Sequence, residues 1–262
     1  MNRVRRKLAD GQPVMGHMVL EFFSPGIGLM VANAGLDFVI YDMEHSRCSV
    51  ETAACMFASC RGSDVVPMAR VPDPGFVPMS RLLDLGARGV MVPRVETRRQ
   101  AEDIVAQLRY PPAGRRGVAV SLAHDNYKFQ GERYFEEANG DVLVIVQVET
   151  ARSLENLDAI IATPGVDVIW IGHYDLSVSL GIPGKFDHPL FQQAVDAVLA
   201  CCRRHGPVPA YLVSGPGEAR SCLERGFRIL SLNYDIGLFT AALEAARREV
   251  QGVPRTAESS GQ

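Results

Sequence analysis

The sequence predicts a (β/α)8 barrel, and three observations carry that expectation. Eight short apolar, β-branched runs recur at regular spacing, amphipathic helical segments lie between them, and one device of helix, Gly, short turn and strand repeats as NAGLDF, DLGARG and ERGFRI. Strand and helix alternating eight times over about 250 residues suit a closed parallel barrel. The rival is a doubly wound open sheet. No GxGxxG follows the first run, which weakens the nucleotide-binding version of that rival.

The first run is VMGHMVL (14–20), and a helix is expected over 25–34 with Ser24 as its N-cap. DFVIYD (37–42) leads to a helix over 49–59, with Ser49 placed to cap Val50. VVPMAR (65–70) precedes a helix over 76–85, and GVMVP (89–93) one over 97–108. VLVIVQVE (142–149) is followed by 153–162, and DVIWIG (167–172) by 189–204. VPAYLV (208–213) leads to 216–225, and RILSLN (228–233) to 238–250. Gly35, Gly86, Gly206 and Gly226 fall where helix C-caps belong, because Gly accepts the left-handed conformation there. The connection 109–141 carries little periodicity, and a loop of that length is more often functional than idle. One domain over 1–250 is expected, with 251–262 as a polar tail.

Composition narrows the function classes. A net charge of -3 shows no basic excess for nucleic acid or an anionic membrane. There is no run of ~18 apolar residues to cross a bilayer, and the basic N-terminus has no apolar core of a signal peptide. The six cysteines form no CxxC pair and read as reduced thiols of a cytoplasmic protein.

In a barrel the chemistry sits where the strands end. Those ends carry Asp42, Glu44 and His45 (YDMEHS), Arg70, Gln147 and Glu149, then Gly172 with Asp175 behind it; Glu21 and Asn233 lie at two others. Glu149 ends so apolar a run that an ionised carboxylate there needs a partner. Two acids at one mouth repel unless a hard divalent cation lies between them. No His/Cys cluster at that mouth suits zinc. The lysines Lys7, Lys128 and Lys185 miss the strand ends, so imine chemistry has no nucleophile. Each residue alone has a plainer reading. Asp175 or Glu149 could cap a helix, His45 could be a satisfied loop histidine, and Arg70 could pair with Asp42 or Asp84. Their joint occurrence on one rim favours a site.

FVIYDMEHS, ARVPDPGFVPMSRLLDLGARGVMVPRVET, RYPPAGRRGV, VIVQVET with SLENLDAI, and GVDVIWIGHYDLSVSLGIPG run in order along the chain. In them the sequence resembles the HpcH/HpaI family of class II, metal-dependent 2-oxo acid aldolases and citrate-lyase-like proteins. The resemblance implies a (β/α)8 barrel in a homo-oligomer, typically a hexamer, with the last helix exchanged between subunits. It implies Mg2+, Mn2+ or Co2+ on Glu149 and Asp175, chelated by a pyruvate-like 2-oxo acid whose partner is an aldehyde. Gln147 would lie beside the ion, backbone N–H groups near Gly172 and Tyr174 would hold the carboxylate, and Leu212 would line the substrate pocket. Arg70 would steady the enolate oxygen. His45, supported by Asp84, would move a proton with a metal-held water, and Asp42 would orient water or ligand. The sequence departs from the family at IGHYDL, where the family reads IGPxDL, so His173 and Tyr174 are unusual. His124 replaces an expected Arg, and Glu21 adds an acid to the rim. Two other readings stay open: a CoA-thioester lyase of the same family, and a non-catalytic barrel that binds metal and carboxylate.

Overall fold

A computed structural model describes residues 2–74 and 79–252 of the chain. Its eight strands are β1 (Val14–Val19), β2 (Phe38–Asp42), β3 (Val66–Arg70), β4 (Gly89–Val92), β5 (Leu143–Val148), β6 (Val168–Ile171), β7 (Val208–Val213) and β8 (Ile229–Tyr234). All neighbours are parallel, and β1 pairs with β8 (Val14 opposite Ile229) to close the barrel, as the sequence predicts.

The helices are α1 (Arg3–Ala9), α2 (Ile27–Asn33), α3 (Val50–Ser59), α4 (Met79–Asp84), α5 (Arg98–Leu108), α6 (Tyr134–Asp141), α7 (Ala151–Glu155), α8 (Leu157–Ile161), α9 (His173–Ser179), α10 (Pro189–His205), α11 (Pro216–Arg225) and α12 (Asp235–Gln251). Ser49 caps α3 by accepting from the Thr52 N–H, and Gly35, Gly86, Gly206 and Gly226 all take positive φ. Several details differ from the sequence expectation. Helix α2 starts at Ile27 with Gly26 as its N-cap, because Ser24 is spent on the preceding turn, its carbonyl accepting from the Ile27 N–H. The helix expected over 153–162 is interrupted at Asn156, whose amide turns aside to donate to the Glu96 carbonyl at 3.0 Å. Helix α12 begins three residues early. Its first residue, Asp235, accepts from the N–H groups of Leu20, Glu21 and Phe22 at 3.0, 2.9 and 2.7 Å and so ties the helix to the end of β1. The expected helix over 76–85 is seen from Met79; 76–78 lie outside the described residues, as does the expected tail from 253 onward.

Two apolar layers result from strand alternation. Val39 and Tyr41, Val144, Val146 and Val148, and Ile169 and Ile171 point outward beneath the helices. Phe38 and Ile40, Val66 and Met68, Leu143 and Ile145, and Val168 and Trp170 fill the barrel interior. The long connection 109–141 is anchored at the amino-terminal rim. Arg109 donates to Asp167 at 2.7 Å and Arg116 to Asp84 at 2.6 Å, each just ahead of a strand.

Candidate active site

The same alternation builds the site. On β2 the inward series Phe38, Ile40 continues to Asp42, and on β3 Val66, Met68 continues to Arg70. On β5 Leu143, Ile145 continues to Gln147 and Glu149, and on β6 Val168, Trp170 continues to Gly172. The barrel is therefore packed with apolar side chains below and capped by a polar layer at its carboxyl rim. A cavity of about 210 Å³ opens there, lined by His45, Arg70, Gln147, Glu149, Gly172, Tyr174, Asp175 and Leu212 together with Met18, Trp170, His173 and Tyr234. Size alone does not mark the site. Hollows of about 420 and 680 Å³ open on the opposite rim, where the strands begin, with Val66 in one and Leu143 and Val208 in the other.

Glu149 is 2% exposed. Its Oε1 accepts from the Arg94 backbone N–H at 2.6 Å, and its Oε2 from the Gln147 amide at 3.0 Å. Burial pushes its carboxyl up to about 7; the Arg94 N–H opposes that, and the nearby Asp175 and Glu44 charges add to it. Gly172 leaves room for this carboxylate: a Cβ there would collide with Oε2 and lie 2.8 Å from the Glu149 Cβ. The Gly172 N–H itself donates to Val148 O at 3.3 Å, so the unengaged donors of this turn belong to the first residues of α9, where Tyr174 and Asp175 sit.

Asp42 is fully buried behind Arg70 and does not line the cavity. It faces Arg70 across the β2–β3 register and accepts from its Nε at 2.6 Å. It also accepts from the N–H groups of Glu44 and His45 at 3.1 and 3.0 Å. Burial opposes its charge, but these donors hold its carboxyl below the ordinary carboxylate range. The YDMEHS turn is thus folded around one carboxylate, and the same carboxylate aims the guanidinium. Glu44 lies 3.4 Å from Arg70 Nη1, 3.5 Å from Arg94 Nη2 and 3.6 Å from His45 Nε2, and burial raises its carboxyl.

Asp84 is not brought to His45 within this chain. It ends α4 at the opposite rim, paired with Arg116 and 3.9 Å from His124. His124 is buried there between Tyr134 and the Ala119 carbonyl. Glu21 is half exposed and faces Arg47 at 3.8 Å. His173 packs against Tyr174, Phe186 and Tyr211 at ring distances of 4.8, 5.1 and 5.1 Å, and burial lowers it to about 4, a neutral ring. A contact of the rim that the sequence reading missed is Arg94. It follows β4 directly in MVPRVET, and its φ of 50° turns the backbone N–H onto Glu149. An Arg immediately after a Pro-terminated strand was the signal available.

A closed parallel barrel whose ionisable groups gather on the carboxyl rim is the arrangement of a (β/α)8 enzyme. The sequence profile of "HpcH/HpaI aldolase/citrate lyase" matches residues 22–242. A 5-keto-4-deoxy-D-glucarate aldolase of Shigella boydii serotype 18 is 36% identical over 211 residues, 80% of this chain and 82% of that one. The crystal structure of an HpcH/HpaI aldolase from Desulfitobacterium hafniense DCB-2 superposes with a TM-score of 0.90 at 28% identity, covering 95% of this chain and 97% of that one. A family protein from Burkholderia cenocepacia J2315 gives 0.89 at 32%, covering 96% and 100%. The chain belongs to the HpcH/HpaI aldolase/citrate lyase family, and it is an aldolase, a carbon–carbon lyase.

Proposed function

We propose that the chain cleaves and forms 4-hydroxy-2-oxo acids through a pyruvate-type enolate, with a divalent cation, Mg2+, Mn2+ or Co2+, on Glu149 and Asp175. The observation that carries this is Glu149 itself. It is a carboxylate buried at the barrel mouth, held in place by two hydrogen bonds, with a second carboxylate near enough to disfavour its charge. The donor set fits a hard cation: carboxylate oxygens on both sides, and a buried Gln147 Oε1 that accepts no hydrogen bond among the described residues. When bound, the cation supplies positive charge to the developing enolate oxygen.

The chain's own groups do the rest. Arg70, charged and fixed by Asp42, meets the oxyanion with a preset guanidinium, so little reorganisation is needed as charge develops. His45, more than half exposed at the cavity edge, removes the 4-hydroxyl proton in cleavage and returns it in addition. Tyr174 contributes a first-turn N–H to the substrate carboxylate. Leu212 and Tyr174 bound the side where the aldehyde leaves, and neutral His173 stiffens that wall. Asp42 serves by holding Arg70, and Asp84, engaged with Arg116, has no part in the site of its own chain. The Shigella relative's name supports a sugar-acid-derived 2-oxo acid as substrate.

A homo-oligomer belongs to the same reading. Of the seventeen residues of α12 only Asp235 is buried, while Ile236, Leu238, Phe239 and Leu243 are exposed; a second copy of the chain, exchanging this helix in a hexamer, would cover them. The function is tested by pyruvate release from a panel of 4-hydroxy-2-oxo acids, with and without chelator. Chelator-sensitive release supports it, and no release from any member, with metal present, overturns it.

A further inference from the structure

Far from the mouth, on the outer surface, three side chains of the types that bind zinc come together among the described residues: Asp158, Cys201 and His205. Cys201 and His205 are four apart on α10, so they share one helix face. Asp158 comes from α8, which packs beside α10. Its Oδ1 lies 3.0 Å from His205 Nε2 and 3.6 Å from Cys201 Sγ, and the three ligand atoms all lie within 4.8 Å of one another. The convergence is unusual chemically, because the thiol and the imidazole both turn toward one carboxylate oxygen.

We propose that Asp158, Cys201 and His205 form a second metal site, for a borderline divalent cation such as Zn2+, that clasps α8 to α10. One sulfur, one imidazole nitrogen and one carboxylate oxygen are a zinc ligand set, and the partly exposed Asp158 and His205 leave a fourth position open to water. They contrast with the oxygen donors of the mouth, which suit Mg2+ or Mn2+. On binding, the Cys201 S–H bond breaks, the sulfur lone pair goes to the cation and the proton leaves to solvent; His205 binds through Nε2 with its ring proton on Nδ1. The competing cation is Arg204, whose Nη2 is 2.9 Å from the same Asp158 oxygen and whose side chain is 64% exposed, free to swing away.

The test uses chelator-stripped full-length protein titrated with Co2+, a zinc surrogate whose thiolate ligation gives a near-ultraviolet charge-transfer band. The band is expected in the wild type and in Glu149→Gln alike, because the oxygen donors of the mouth cannot produce it. Cys201→Ser should abolish it. His205→Ala, a change at an exposed position, should weaken Co2+ binding at least about tenfold, since disturbing outer partners alone costs ~10–100-fold. Arg204→Gln should tighten binding. Lyase activity with Mn2+ should be unchanged in Cys201→Ser and His205→Ala. Absence of the band, a band that survives Cys201→Ser, or Co2+ binding unchanged in His205→Ala overturns the proposal, and none of these results bears on the aldolase site.

Discussion

Replacing Glu149 by Gln should make the metal-free protein more stable at pH 8 while removing its response to metal. The buried carboxyl has been pushed from an ordinary 4.5 to about 7. At ~1.4 kcal/mol per pH unit, that difference corresponds to about 3 kcal/mol between its protonated and ionised forms. The sign follows from linkage. The folded protein binds this proton more tightly than the unfolded chain, so the stabilisation is full below about 4.5 and is lost as pH rises through about 7. At pH 8 without metal the wild type therefore carries a buried, uncompensated charge. Gln removes the charge and keeps the shape. Its oxygen still accepts from the Arg94 N–H, and Gln147, whose Oε1 lacks a donor, can reverse its amide to accept from the new NH2. In chelator at pH 8 the variant should melt higher than wild type. The upper bound is ~6–12 °C, taking ~2–4 °C per kcal/mol for a chain of this size. The gap should narrow to roughly a quarter of that at pH 5. Added Mn2+ should raise the wild-type Tm and leave the variant where it was, with no chelator-sensitive turnover. Scanning calorimetry at the two pH values, with and without metal, measures all of this. A variant less stable than wild type at pH 8 in chelator, or equal metal stabilisation of both proteins, refutes the reasoning.

Three other substitutions probe the remaining groups. Arg70→Lys keeps the charge but cannot span Asp42 and Glu44 together, so steady-state kinetics should show kcat falling by about 10²–10³ with a smaller rise in KM; a change in KM alone would reassign Arg70 to ground-state binding. Gly172→Ala drives a Cβ into the Glu149 carboxylate, so a metal titration should show weakened affinity while circular dichroism shows the barrel intact; unchanged affinity would mean the carboxylate can move aside at no cost. His45→Ala should depress aldol cleavage well beyond oxaloacetate decarboxylation, which has no 4-hydroxyl to deprotonate; equal losses in the two assays would remove His45 from proton transfer.

The barrel was legible because its signals are periodic. Eight β-branched runs and Gly punctuation fix strand number and order, and β-strand parity then carries Asp42, Arg70, Gln147 and Glu149 to one interior layer. What escaped was set by contacts distant in sequence. The short helix α9 gives too few residues for a period. The break at Asn156 depends on the Glu96 carbonyl sixty residues away, and the orientation of Arg94 depends on a positive φ that no propensity announces. Asp84 failed to join His45 for a topological reason. It closes a helix, and helices of this fold end at the rim opposite to the one where strands end. The long connection 109–141 anchors at that opposite rim too, away from this mouth.

Strand alternation acts here as a reading frame. Val148 and Glu149 are consecutive, yet one packs beneath the helices and the other meets the cavity. Deleting one residue from the middle of β5 would leave a run just as apolar, with nearly the same strand propensity, and would exchange the two. The carboxylate would be driven into the layer under the helices, and a valine would face the substrate. Point substitutions at the mouth can therefore leave the barrel standing whatever they do to the chemistry, whereas single-residue insertions and deletions within the strands should be lethal to fold and chemistry together. Length polymorphism in relatives of this protein should accordingly be confined to the loops.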